Sequence, residues 1–381
     1  MNDADTLIDA ARELLPLVRA EAAAGEAQGR TTPALLAELH ARRLFRLFVP
    51  RSIGGEELPL VPALEIFELV SSADGAAGWT VMIGAGAGLF GAFLPPASAR
   101  EILGPDDAVI AGSGAPHGTA REVDGGYRVS GRWSYASGAR HATWFTANCV
   151  VHDPDGRPRR TASGEPLVRA VAVPAAEVQI HSTWDVVGLR GTGSEDFEIA
   201  DRFVPSEHTF SALADPPVEQ GPLYRVPFVS LAELSFAAVA LGIARGALEE
   251  FRALARTKRP LGATEPLAAD PDVRVRYARA EGAVRASRAL VFEEAARTWE
   301  TVERGDTVDS LAQLSVRLAC VDAARRSARA VDELHARAGM TPLFSSSGLG
   351  RAWRDVHAVT QNAAVAAAHY GAIGERLLAP R

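Results

Sequence analysis

The chain has 381 residues, 47% of them hydrophobic and 23% charged, with a formal net charge of −7. That is an ordinary globular composition, long enough for a sizeable core, and its acidity offers nucleic acid no electrostatic footprint. Two cysteines, Cys149 and Cys320, exclude a disulfide framework or a cysteine metal site, and nine histidines fall into no zinc-like spacing; a cytoplasmic location is expected.

The N-terminus is acidic and amphipathic rather than basic-then-apolar, unlike a secretion signal. Leu7, Ala11, Leu14, Leu15 and Val18 recur at helical spacing, and Thr32-Pro33 starts a second helix through Leu35, Leu36, Leu39 and Leu44. Pro50 and Gly54-Gly55 break the pattern. Helices resume over 61–72, through the small-residue run 76–93, and from Pro95-Pro96 to Leu103. Residues 76–94 come nearest to a membrane span, but glycine and alanine dominate them, and no membrane is expected. The glycines at 84, 86, 88 and 91 suit tight helix packing in the first instance.

From Val109 to about Val204 strand signals dominate. Residues 112–120 read as a polar loop before a Gly125-Gly126 turn, after which Tyr127, Val129, Trp133 and Tyr135 alternate with the two-residue period of a half-buried strand. Residues 151–166 have the composition of an exposed hairpin loop. A proline-containing link around Pro216-Pro217 leads into long helical patterns over 228–257, 273–302, 311–338 and 354–378, the composition of a bundle.

Two strands are interrupted by small polar residues between glycines: Ala136-Ser137-Gly138 and Gly191-Thr192-Gly193-Ser194. Glycine lets a backbone approach a flat ligand, and free N–H groups and hydroxyls can grip ring heteroatoms or phosphates. Two turn-rich hairpin loops would have the same composition.

Paired in this order, the W-x-x-x-S-G segment at Trp133 and the G-x-R-G-T-G-S segment at Gly188 resemble the acyl-CoA dehydrogenase fold, in its flavin-dependent monooxygenase branch. The resemblance spans almost the whole chain and implies an α+β protein. Its three parts would be an N-terminal helical domain (1–108), a central β-domain (109–224) and a C-terminal helical bundle (225–381). It implies the oxygenase component of a two-component system: a separate flavin reductase supplies reduced FMN or FAD, and O2 is the co-substrate. Oxygenation of a small aromatic, amine or sulfur substrate would pass through a flavin C4a-hydroperoxide. Homotetramers are expected, with each flavin at a subunit boundary.

Residue by residue, the resemblance sets Ser137 and Gly138 at the reactive ring edge, with Ala136 and Ser113 beside the cofactor. Gly191, Thr192, Gly193 and Ser194 fall at the opposite ring edge or the ribityl chain, and Trp133 and Trp184 on the pocket wall. Arg256, in a basic helix end with Lys258 and Arg259, matches a phosphate ligand for a neighbouring subunit's flavin. The segment 336–355 matches a glycine-rich connection whose Thr341, Ser345, Ser346 and Ser347 carry candidate hydroxyls. Eight residues after Arg354 the branch carries a histidine, where this chain has Asn362; one further on, where fatty acyl-CoA dehydrogenases carry glutamate, it has Ala363. An amide orients a ligand but exchanges no proton near neutrality. On a continuous helix His369, seven residues on, would share the Asn362 face within about 20°, and His357 would not. His369, His141 and His117 are the remaining proton carriers. A dehydrogenase or oxidase on a non-standard substrate, and a non-redox cyclase or binding protein, are the alternative activities on this fold.

Overall fold

A computed structural model describes residues 3–379. Five helices come first: α1 (Asp3–Gln28), α2 (Pro33–Ala41), α3 (Leu60–Ala73), α4 (Gly75–Gly88) and α5 (Pro96–Leu103). The Thr32 hydroxyl accepts the Leu35 N–H and so caps α2, with Pro33 at its first position, as the sequence suggests. Asp74 ends α3 in extended backbone and caps α4, its Oδ1 accepting the Ala77 N–H at 2.9 Å.

A seven-stranded sheet follows: β1 (Ile110–Val123), β2 (Gly126–Ala136), β3 (Trp144–His152), β4 (Val168–Pro174), β5 (Gln179–His181), β6 (Glu195–Pro205) and β7 (Thr209–Phe210). Their order is β5-β6-β2-β1-β3-β4-β7, with only the β1–β3 pair parallel. Val123 pairs with Gly126 across a tight turn in which Gly125 takes φ 73°, a left-handed conformation that glycine adopts without strain. Residues 112–120, expected as a loop, lie within β1. The strand bulges between Ser113 and Gly118 while β3 advances only from Ala147 to Cys149, so polar, exposed residues sit in a strand whose backbone leaves the ladder there.

Five helices close the chain: α6 (Phe228–Thr257), α7 (Pro271–Glu303), α8 (Ser310–Arg337), α9 (Gly348–Val359) and α10 (His369–Leu378). One hydrophobic core runs through α1–α4 and α6–α9, so the first helices and the last share an interior. Where α3 crosses α6, Cβ atoms on Gly242 and Gly246 would lie 2.3 Å from the carbonyl oxygens of Glu68 and Ser72, so only glycine lets these helices approach. A smaller cluster with Trp133, Phe145 and Phe197 fills the sheet, and a third joins its far edge to α4 and α5.

One helix is not as expected. The single helix over 354–378 is two helices. The Thr360 hydroxyl donates back to the His357 carbonyl, and Asn362, in extended backbone, caps a single turn over Ala363–Val365 by accepting the Ala364 N–H. Side chains that bond their own backbone compete with the helical ladder, so Asn362 and His369 share no helix face. Two helical segments, Gly75–Phe93 and Phe228–Thr257, are long and apolar enough to cross a membrane. Their apolar windows are 78% and 72% buried inside the fold, which accounts for their composition.

Candidate functional site

The two glycine-flanked loops meet. The Trp79 indole N–H on α4 donates to Ser137 Oγ at 2.9 Å, Ser137 Oγ lies 2.8 Å from Ser194 Oγ, and Ser194 Oγ lies 2.6 Å from Thr192 Oγ1. Thr192 sends its only proton to the Leu189 carbonyl, at 2.8 Å. Ser194 must then donate to Thr192, and Ser137 to Ser194, because each hydroxyl has one proton. The chain has one direction, Trp79 to Ser137 to Ser194 to Thr192 to Leu189. A second link, from the Gly138 N–H to the Thr192 carbonyl at 2.9 Å, ties the loop backbones together.

Left-handed backbone shapes both loops. Gly138 (φ 80°) and Gly193 (φ 54°) take it freely, while Tyr135 (φ 69°) and Leu189 (φ 53°) are held in it against the cost to a side chain. Their neighbours supply the restraint. Glu195, next to Ser194, accepts the Thr183 and Trp184 N–H groups and the Arg140 guanidinium. Burial alone would raise its carboxyl pKa, but the Trp184 N–H, Arg140 and the Thr183 N–H outweigh it and the pKa is lowered.

Beside the loops, between α4, α6 and the start of β1, lies a cavity of about 360 Å³. Met82, Phe90, Phe210, Leu231 and Phe236 give it apolar walls, and Ser113, Thr146, Asn148, Ser211 and Ser235 its polar atoms. Phe236 packs on the Trp79 ring, 5.0 Å between centroids, so one indole joins the hydroxyl chain to the cavity wall. A Cβ on Gly84 would strike Phe45 at 2.5 Å, whereas a Cβ on Gly86 would meet nothing within 4 Å, because Gly86 faces the cavity. None of the described residues lining it is charged.

Other expected site residues lie elsewhere. Trp133 is no pocket wall. It is 0% exposed, stacks on Phe197 at 5.2 Å and donates its N–H to the Asn148 carbonyl, so it supports the cavity from behind. Ala136 is buried in the same core, and Gly191 packs against Ala76 of α4. His141 lies against Gly138 and Phe45, outside the cavity lining. Burial, and then His40, push its pKa down to about 4, so it is neutral near pH 7 and a weak base. Asn362 and His369 do not line the cavity, and the exposed His369 ring bonds the Ala363 carbonyl. His357 is engaged by Asp332 and His117 is exposed on the β1 bulge. Arg256 is exposed in the last turn of α6, while Lys258 is committed to the Ala338 carbonyl and Thr341 hydroxyl. Ser347 caps α9.

Sequence reasoning passed over Trp79, Asn148, Glu195 and Asp355. Trp79 sits in an apolar helical run, where an indole reads as core. Asp355 carried a signal, its place in the Arg354-Asp355 pair.

Among the described residues no group of three His, Cys, Asp or Glu side chains is placed to hold a metal ion. The donor set fits a flavin instead: buried hydroxyls at Ser137, Thr192 and Ser194, glycines where a flat ring needs close approach, and a strand bulge that opens after Ser113.

Comparison with known proteins agrees. The family model described as acyl-CoA dehydrogenase, C-terminal domain, matches residues 234–367. Indole-3-acetate monooxygenase of Pseudomonas putida is 34% identical over 324 residues, 85% of this chain and 81% of its own. The oxygenase subunit HsaA of a flavin-dependent monooxygenase from Rhodococcus jostii is 30% identical, over 92% of each chain. The crystal structure of 3-HSA hydroxylase from Rhodococcus sp. RHA1 superimposes with a TM-score of 0.88 at 29% identity, covering 98% of both chains.

Proposed function

From its membership of the flavin-dependent monooxygenases built on the acyl-CoA dehydrogenase fold, we propose that this chain oxygenates an uncharged, largely apolar small molecule held in the cavity between α4, α6 and β1. It is the oxygenase component of a two-component system, using reduced flavin supplied by a reductase and O2. Reduced flavin, when bound, supplies the electrons that let one oxygen atom of O2 reach the substrate and the other leave as water.

The absence of charge among the described lining residues carries this reading. A carboxylate substrate would have to leave water without a cation to receive it, and a protonated amine without an anion, at several kcal/mol or more in either case. Among the described residues no base lines the cavity to ionise a phenol, and no carboxylate to abstract a carbon-bound proton, which disfavours dehydrogenation. What remains is a substrate whose reacting atom is itself electron-rich, a thioether sulfur or a π-rich aromatic carbon. Ser113, Thr146, Asn148, Ser211 and Ser235 would orient one or two polar atoms of it, and the aromatic walls its flat face.

Toward the cofactor, Ser137 accepts from Trp79 and so keeps its own proton free to turn from Ser194 to a ring atom. Ser113, Gly138, Thr192 and Ser194 would complete the ring contacts. Arg256, exposed and with a fork suited to phosphate, would reach the flavin of an adjoining subunit in a homotetramer. Two buried free cysteines, Cys149 and Cys320, are consistent with a cytoplasmic place for the reaction.

The test is turnover with reduced flavin and O2 on pairs of compounds, an indole or aryl thioether against its carboxylated analogue. At least tenfold higher kcat/KM for the neutral member is expected. Equal turnover of the carboxylate would refute the reading.

A further inference from the structure

Behind Leu189, charged side chains converge where α1, α4, the 189–193 turn and α9 meet. Glu26 comes from α1, Asp74 from the start of α4, and Arg351, Arg354 and Asp355 from α9; Glu21 and Arg190 stand at the edge. Arg351 Nε donates to Asp74 Oδ2 at 3.1 Å, and Arg354 Nη2 to Glu26 Oε1 at 2.5 Å. Arg190 donates its Nε to the Glu26 backbone carbonyl at 3.3 Å and its Nη1 to Asp185 and the Val186 carbonyl. Asp355, 2% exposed, bonds no cation. Its Oδ1 accepts the Leu189 N–H at 2.6 Å, and its Oδ2 has no hydrogen-bond partner among the described residues; Arg351 Nη1 has none either, though it is ion-paired with Glu26 Oε2 at 3.7 Å. Both residues line a cavity of about 20 Å³, room for one water molecule.

The charges do not balance. The buried carboxylates Asp74 and Asp355 and the partly buried Glu26 face Arg351 and Arg354, while Arg190 at the edge is paired with Asp185, which leaves one negative charge uncompensated unless a proton is bound. Asp355, the carboxylate without a cation, is the group to carry it. Burial, and then Asp74, push its carboxyl up to about 8, and burial raises Asp74 as well. The turn it holds has little slack: a Cβ on Gly188 would lie 2.2 Å from the Arg354 carbonyl oxygen, so the loop rests directly on α9.

We propose that Asp355 is a positioning residue for the flavin-facing loop. As a neutral carboxylic acid it fixes the Leu189 amide, and through it the left-handed turn that presents Thr192 and Ser194 to Ser137. Ionised, it would accept the Leu189 N–H more strongly, but Asp74 and Glu26 repel the charge, and that repulsion between α9 and its neighbours loosens the turn. The proposal rests on the reading of Ser137, Thr192 and Ser194 as the flavin-holding hydroxyls.

Asp355→Asn keeps an acceptor oxygen without a titrating proton, and Asp355→Ala removes the acceptor. Anaerobic titration with reduced FMN and reduced FAD gives Kd, and thermal melts give Tm, both from pH 5.5 to 9.5. At pH 6.5 the asparagine variant is expected within twofold of wild-type Kd and the alanine variant at least tenfold weaker. Reduced flavin titrates too, so the pH effect is read as the ratio of wild-type to asparagine-variant Kd, expected to rise at least fivefold through about pH 8. The stability effect has the same direction. A carboxyl whose folded pKa is raised stabilises at low pH, and that contribution is lost as pH rises through about 8. Wild-type Tm should therefore fall more between pH 6 and 9 than that of the asparagine variant. The proposal is overturned if asparagine binds flavin as poorly as alanine, if alanine binds as well as wild type, or if the Kd ratio is flat with pH. Should the alanine variant not fold, the wild-type and asparagine comparison decides alone. Failure of the underlying reading looks different: wild type would not bind reduced flavin, or Ser137→Ala would bind it unchanged.

Discussion

Ser137 is the residue on which both loops depend, because it accepts from an indole N–H and donates to a hydroxyl in a buried place. In Ser137→Ala the Trp79 N–H loses its acceptor and Ser194 its donor. A cost of about 1–3 kcal/mol is expected, divided between stability and reduced-flavin affinity. Melting and anaerobic titration measure the two parts, and an unchanged variant in both would remove Ser137 from the site. Arg256→Ala acts on affinity alone. Its side chain is exposed at a helix end, so Tm should hold while reduced-flavin binding weakens by about 1.5–3 kcal/mol. Unchanged binding would shift the phosphate role to Arg259, since Lys258 is already held by Ala338 and Thr341. Thr192 and Ser194 were legible from their glycine-flanked pattern, and their link to Ser137 was foreshadowed by the pairing of the two segments. Trp79 was not legible. The only property that marks it is the direction of its N–H, and direction is set by how α4 lies against the sheet.

Among the elements, the helices were read well because each buries one face, and apolar spacing records that face directly. The Thr32-Pro33 start and the turn at Gly125 were equally plain, since capping and left-handed backbone are local chemistry. The end of the chain was misread for a related reason. Residues 363–368 are alanine and valine, good or neutral helix formers, and the two side chains that end α9 are a threonine and an asparagine bonding their own backbone. Local propensity points one way and two side-chain hydrogen bonds the other. Asn362→Ala should cost about 1 kcal/mol of stability, as for a lost helix cap. The shape of the pH–rate profile should not change, because the amide does not titrate. A changed profile would mean that removing the amide alters a titrating group in the reaction. The bulge in β1 was hidden in sequence because it exists only relative to β3, and register is a property of two strands.

At the scale of the whole molecule, several large apolar side chains lie open on the bundle. Met340, Leu343 and Phe344 are 69%, 64% and 66% exposed in the connection between α8 and α9, and Leu378 is 87% exposed on α10. Exposed apolar groups of this size at helix ends suit burial between subunits. Light scattering should give about four times the 40.3 kDa chain mass, and a stable monomer would count against the intersubunit role of Arg256.

On the proposed function, oxygen is delivered into the uncharged cavity beside Trp79, and Gly86 gives direct access to it. A side chain there meets no protein atom within 4 Å of its Cβ, so Gly86→Phe fills the cavity without displacing α4. The decisive measurement is the partition of electrons from reduced flavin between oxygenated product and hydrogen peroxide, with a neutral indole or thioether under ¹⁸O2. Wild type is expected to place one ¹⁸O atom in the product. Gly86→Phe is expected to bind reduced flavin normally, lose product formation at least tenfold and release the difference as peroxide. Undiminished, ¹⁸O-labelled product from Gly86→Phe would contradict the account, because the reaction would then take place somewhere other than this cavity.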